Sequence, residues 1–160
     1  MRELMALAER VGAALKARSE TVSVAESSSG GLISAALLGV AGASAYYLGG
    51  GVIYTPKARA VLMDIPRRDV VGMRSASEAY AILLARTARE RLAATWGVSE
   101  TGAAGPTGNP YGDAAGHTCV AISGPRDAVL TVETGSADRV ANMHAFAAEA
   151  LKLLLRGLEG

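Results

Sequence analysis

The chain has 160 residues, 50% of them apolar and 19% charged, with a formal net charge of +1. One domain of that length buries a sizeable core without disulfides or metal, and neither a basic stripe for nucleic acid nor an acidic tail is present. The single cysteine, Cys119, excludes an internal disulfide and fits a reducing compartment; inside the run Thr118 to Ile122 it reads as a small buried hydrophobe rather than a reactive thiol.

Residues 2–18 place Leu4, Leu7, Ala8, Val11 and Leu15 on one helical face, with Arg2, Glu9, Arg10 and Lys16 mostly opposite. Acidic residues in this opening helix set it apart from a signal peptide. The next segment, Thr21 to Leu38, begins as a strand with Val22 and Val24, breaks at Glu26-Ser27-Ser28-Ser29-Gly30-Gly31, and continues as an apolar helix over 30–39. Ala45 to Tyr54 reads as a strand interrupted by three glycines, where a bulge or a close backbone approach is expected. Thr55-Pro56 then predicts an N-cap and a first helical residue, opening a helix that runs through Met63.

Pro66 to Gly72 is a polar connection, and Ser77 to Thr95 a long helix. Trp96 reads as a packing residue, since no basic surround accompanies it. Gly97 to Thr101 is a short strand that runs into a glycine-rich loop over 102–116; His117 to Ser123 and Val129 to Thr134 are strands, and Ala137 to Leu158 is the closing helix. Strands alternating with helices predict one α/β domain over 1–160, a three-layer α/β/α sandwich on a mostly parallel mixed sheet. No apolar stretch reaches the roughly 18 residues of a membrane span without a charge or a glycine cluster, so a cytoplasmic protein with no membrane partner is expected.

Binding is expected beyond the carboxyl ends of the strands, where the 26–31 and 101–116 turns can converge. The first collects serine hydroxyls and backbone N–H groups at a helix N-terminus, a place either for an anion or simply for helix capping. The second, Thr101-Gly102-Ala103-Ala104-Gly105-Pro106, offers successive N–H groups of the kind that cradle anions. Dinucleotide and triphosphate signatures are missing, and two isolated histidines, His117 and His144, supply no metal-ligand spacing. No metal or cofactor is expected. What remains is serine chemistry: Ser27 as a nucleophile, its proton taken by Tyr54 or Lys57, the nearest candidates in chain order.

These residues also carry a resemblance. Ala25-Glu26-Ser27-Ser28-Ser29-Gly30-Gly31 is similar to the A-E-S-C-T-G-G of the CinA C-terminal domain family, the competence/damage-inducible proteins. Gly42-Ala43-Ser44, the strand ending in Tyr54-Thr55, Ser77-Glu78 and Thr101 to Pro106 resemble further motifs of that family in order, across nearly the whole chain. The resemblance implies a nicotinamide-nucleotide amidase, which converts the carboxamide of nicotinamide mononucleotide to the acid and ammonia through an acyl-enzyme on Ser27. It implies a substrate-binding set of Glu26, Ser28, Ser29, Gly30, Gly31, Arg59, Thr101, Gly102, Ala103 and Gly105, with a phosphorylated mononucleotide as partner. Related domains also suggest a homo-oligomer, and Ala45 to Leu48 is either a contact or a core strand.

The departures fall on the proton acceptor. The family pattern places a lysine five residues after the tyrosine, where this chain has Arg59. A guanidinium, with a pKa of about 12 or more, can orient an anion but takes no proton from serine. Lys57 lies about 200 degrees around the helix from Arg59, so the two side chains are not expected to share a pocket. The arginine expected after the last strand's glycine is Ala137 here, or is shifted to Arg139. The alternative function is therefore a relative that binds a phosphorylated small molecule without hydrolysing it.

Overall fold

The computed structural model describes all 160 residues. Helix α1 (Arg2–Arg18) buries Leu4, Ala8, Val11 and Leu15, and stops where Ser19 turns left-handed and returns its N–H to Leu15 and Lys16 carbonyls. Strand β1 (Val22–Glu26) is buried along its whole length. A turn leads to helix α2 (Leu32–Leu38), two residues later than the predicted start because Gly30 and Gly31 are left-handed. Strand β2 (Tyr47–Val52) contains all three glycines and is preceded by a single 3-10 turn over Ala43–Ala45, which the sequence reading had as strand from Ala45. Tyr46 is core, its hydroxyl donating to the Leu37 carbonyl at 2.5 Å.

Helix α3 (Pro56–Met63) has the predicted bounds, its Thr55 hydroxyl accepting from the Ala58 N–H. Helix α4 (Glu78–Leu92) ends sooner than predicted because Ala93 turns left-handed. Strands β3 (Trp96–Ala103), β4 (His117–Ser123) and β5 (Ala128–Glu133) precede helix α5 (Arg139–Glu159).

The sheet runs β2-β1-β3-β4-β5. β1 pairs in parallel with both β2 and β3, and β4 is antiparallel to both β3 and β5, so β4 alone opposes the common direction. The expected bulge is present as a register shift opposite Val22 and Ser23. Helices α1, α2 and α5 cover one face through Val24, Val98, Val120 and Ile122, while α3 and α4 cover the other through Ala25, Ile53, Met63 and Leu84. This is the three-layer α/β/α arrangement. α4 lies so close to β3 that a Cβ on Gly97 would sit 1.9 Å from the Ala85 carbonyl oxygen. That contact fixes the level at which β3 emerges beside β1, and with it the geometry of the turn beyond.

Candidate functional site

The serine turn is organised by two carboxylates that see no solvent. Glu26, at the end of β1 and 0% exposed, folds back over the start of α2. It accepts from the Ser29 hydroxyl at 2.6 Å and from the Gly31, Ile33 and Ser34 N–H groups at 2.9, 3.1 and 3.0 Å. Glu100, at 0% exposed on β3, accepts from the Ser27 and Ser29 N–H groups, the Ser28 hydroxyl and the Thr118 hydroxyl. A helix N-terminus favours an anion. Here the anion is the protein's own.

This corrects the expected substrate-binding set. The Glu26 carboxylate and the Ser28 and Ser29 hydroxyls face inward, Ser28 donating to Glu100 and Ser29 to Glu26, and the Gly31 N–H is held by Glu26. Gly30 is exposed but supplies a left-handed bend, its N–H bonded to the Ser27 carbonyl. Ser27 is different. It is half-buried, its hydroxyl makes no hydrogen bond, and it lines a cleft of about 290 Å³ with Tyr54, Arg59, Tyr80, Thr101 and Gly102. Its backbone is pinned while its side chain stays available.

The second turn also differs from its sequence reading, because β3 continues through Ala103 and Thr101, Gly102 and Ala103 pair with Cys119, Thr118 and His117 of β4. The Thr101 hydroxyl accepts from the Ala76 N–H. Consecutive residues of a strand point their N–H groups to opposite sides. The Trp96 N–H points toward the β1 side, to Thr21, so by alternation the Gly102 N–H does as well. β1 pairs with β3 only as far as Ser99. The Gly102 N–H is thus a donor directed at the space beside Ser27. A side chain at 102 would collide with the His117 carbonyl, 2.5 Å from an ideal Cβ.

Arg59 and Lys57 separate as helical geometry requires. Arg59 is buried, lines the Ser27 cleft and donates Nε to the Ile65 carbonyl at 3.2 Å, whereas Lys57 is exposed and lies outside the cleft. Lys57 is therefore not placed to take the Ser27 proton. Burial pushes the Tyr80 phenol above its ordinary pKa, with Arg59 offsetting part of the rise, so Tyr80 remains a neutral hydroxyl in the wall. Tyr54 is 58% exposed at the cleft mouth.

Arg139, the first residue of α5, was noticed in the sequence only as a shifted arginine. Its guanidinium donates to the Tyr54 hydroxyl at 3.2 Å and to the Gly105 carbonyl, and it lines an adjoining cleft of about 270 Å³ with Gly102, Ala103, Gly105 and Asn109. Asn142, buried on the next turn, donates to the Ala104 carbonyl and fixes α5 against this loop. Behind the loop, His117 has oxygen acceptors on both ring nitrogens, Glu133 on Nδ1 and the Ala76 carbonyl on Nε2. Burial alone would lower its pKa, but the bonds to Glu133 and Ala76 outweigh that and raise it. His117 thus braces the loop base through both ring nitrogens, the fold favouring its protonated form, and burial keeps the Cys119 thiol protonated beside it. No group of three potential metal-ligating side chains occurs. No helix is long and apolar enough to cross a membrane.

Comparison with known proteins matches this arrangement to one family. The family model of the CinA C-terminal domain matches residues 4–158. A CinA-like protein of Salinibacter ruber is 37% identical over 148 residues, covering 92% of this chain and 36% of that protein. One from Nostoc sp. is 35% identical over 163 residues, covering 95% and 38%. The chain thus spans little more than a third of the length of these relatives. Among solved structures, the competence/damage inducible protein CihA of Agrobacterium tumefaciens superposes with a TM-score of 0.90 at 28% identity, over 99% of this chain and 96% of that one. A CinA superfamily protein of Klebsiella pneumoniae superposes with a TM-score of 0.91 at 25% identity, over 98% of each chain.

Proposed function

The chain belongs to the CinA C-terminal domain family, and from that premise we propose that it is an amidohydrolase acting on the carboxamide of a phosphorylated pyridine mononucleotide. Ser27 is the nucleophile. The observation that carries this is its hydroxyl, unpaired and open to a cleft while every neighbouring serine is consumed by a buried carboxylate. In this reading the carboxamide carbon meets the Ser27 oxygen and the Gly102 N–H faces the developing oxyanion. The C–N bond breaks with release of ammonia, and water then frees the acid from the acyl-serine. In this reading Tyr54, which shares the cleft and accepts from Arg139, relays the proton from Ser27 to the departing nitrogen. The phosphate lies in the adjoining cleft, where Arg139 supplies the cation. Two clefts of this size that share Tyr54, Gly102 and Asn109 suit a ring at one end and a ribose phosphate at the other.

A second reading rests on a specific observation: the cation buried in the Ser27 cleft is Arg59, a guanidinium suited to clamping an anion and not an amine suited to taking a proton. On that reading the cleft binds the same ligand and Arg59 clamps it without hydrolysis. Ammonia release from nicotinamide mononucleotide, measured for the wild type, Ser27→Ala and Arg59→Lys, separates the two. The amidase reading expects release that Ser27→Ala abolishes. Saturable binding without serine-dependent release, together with activity gained in Arg59→Lys, establishes the clamp instead.

A further inference from the structure

The three glycines of β2 play no part in the Ser27 cleft. Because Gly49 and Gly51 carry no side chains, which would otherwise point toward Leu92 and Ile53, the sheet edge beneath α3 and the end of α4 is left uncovered, and a cleft of about 320 Å³ opens there. That volume is at the lower end of small-molecule sites. Ile53, Leu62, Met63 and Leu92 provide apolar walls. Within the lining lies one polar group of β1: Ser23, 0% exposed, whose hydroxyl has no hydrogen-bond partner. Buried hydroxyls are ordinarily paired, so this one is a donor lacking its acceptor. Arg91 also lines the cleft, and its nearest carboxylate, Asp64, is 4.0 Å away and largely in solvent.

We propose that this cleft is a second binding site, for a small aromatic monocarboxylate bearing a hydrogen-bond acceptor at the end opposite its acid group. The Ser23 O–H donates to the acceptor, the aliphatic walls take the ring, and the carboxylate meets Arg91, which can exchange a weak exposed pair for a closer one. The site is distinct from the Ser27 cleft although Ile53 borders both. It depends on none of the proposed amidase chemistry.

The test is a titration of the full chain, labelled with nitrogen-15, with isonicotinate, using benzoate as the control that lacks the ring acceptor. Saturable amide shifts centred on Gly50, Gly51 and Ile53 are expected, with isonicotinate binding about 3- to 10-fold tighter than benzoate, the worth of one neutral hydrogen bond. Ser23→Ala removes an unpaired hydroxyl, so it should fold as well as the wild type while erasing that preference. Arg91→Ala should weaken both ligands by about tenfold or more, as expected for loss of a charge-assisted bond. Gly51→Ala, whose methyl would lie 3.2 Å from Ile53 Cδ1, should block both ligands. Absence of saturable shifts, shifts centred on Ser27 and Gly102, or a preference that persists in Ser23→Ala would each overturn the proposal; the last would mean that water alone serves the hydroxyl.

Discussion

The two turns that flank the site look alike in sequence and behave oppositely in the fold. Both are rich in small residues, and both abut a helix N-terminus: residues 26–31 lead into α2, and residues 102–109 lie against the first turn of α5. The first is filled from within, where Glu26 and Glu100 accept eight hydrogen bonds in total from the turn, from α2 and from Thr118. The second keeps Gly102 and Arg139 facing a cleft. A turn's capacity for anions therefore says little about ligands until one knows whether the chain supplies its own anion. The filled turn fixes the backbone of Ser27, the proposed nucleophile, and the open one is where the proposed ligand would sit.

The sharpest way to break this contrast is to empty the filled turn. Glu26→Ala strands the Ser29 hydroxyl, the Gly31 N–H and two α2 N–H groups without water, and each buried donor left unsatisfied costs about 1–3 kcal/mol. Urea unfolding should show that loss, with Glu26→Gln intermediate because its amide keeps one acceptor oxygen. A loss below about 1 kcal/mol, typical of an ordinary surface bond, would mean that the turn is not organised by this carboxylate.

The fold was largely legible, and the reasons differ by element. Thr55-Pro56 gave the start of α3 because capping and the proline ring are local chemistry. The end of β3 was misread as loop because Gly102 and Ala103 look like flexible residues. Packing explains their small size instead: a Cβ at 102 would press on the His117 carbonyl. The inward role of Glu100 was missed because its bonds to the serine turn join residues about seventy positions apart; that of Glu26, whose partners lie three to eight positions away, was missed because the turn was read as facing a ligand. A signal was nonetheless present. A glutamate closing a run of small and apolar strand residues, as in Val22 to Glu26 and Trp96 to Glu100, must find partners once that run is buried. Lys57 was placed by helical geometry, and Arg139 became visible only once α5 was docked on the second turn.

The open turn responds to the converse change. Arg139→Ala should leave unfolding nearly unaltered and weaken nicotinamide mononucleotide binding by about 10- to 100-fold, the range for a charge-assisted bond. Calorimetric titration measures it. Ser29→Ala is the matching control in the filled turn, expected to lose stability and not affinity. Reversal of that pattern would show the ligand in the first turn.

A smaller effect concerns the arm that carries Arg59. The Thr55 hydroxyl accepts from the Ala58 N–H at the exposed start of α3, so Thr55→Ala should cost about 1 kcal/mol. In a chain of this size that is a melting shift of about 2–4 °C. An unchanged melting temperature would mean that packing of Met63, not the cap, holds the arm in place.

The smallest expected effect lies at the base of the open turn. The His117 pKa is raised in the fold, so its contribution is fully present below the unfolded value of about 6.5 and is lost as pH rises through the folded value. Asp113 has the opposite sign: the Arg74 guanidinium holds its carboxyl below the usual range, so its contribution is present at neutral pH and is lost on acidification. Because Glu133 is 58% exposed in its pairing with His117, solvent screens that side and the alkaline loss is modest. Melting temperatures of the wild type should therefore fall gently as pH is raised above about 6.5. His117→Gln keeps one donor for the Ala76 carbonyl and removes the titration, so it should flatten that decline while leaving in place the acidic limb, to which Asp113 and Asp127 both contribute. A decline of equal slope in both proteins would assign the alkaline loss to another group and leave the open turn with no proton-dependent brace.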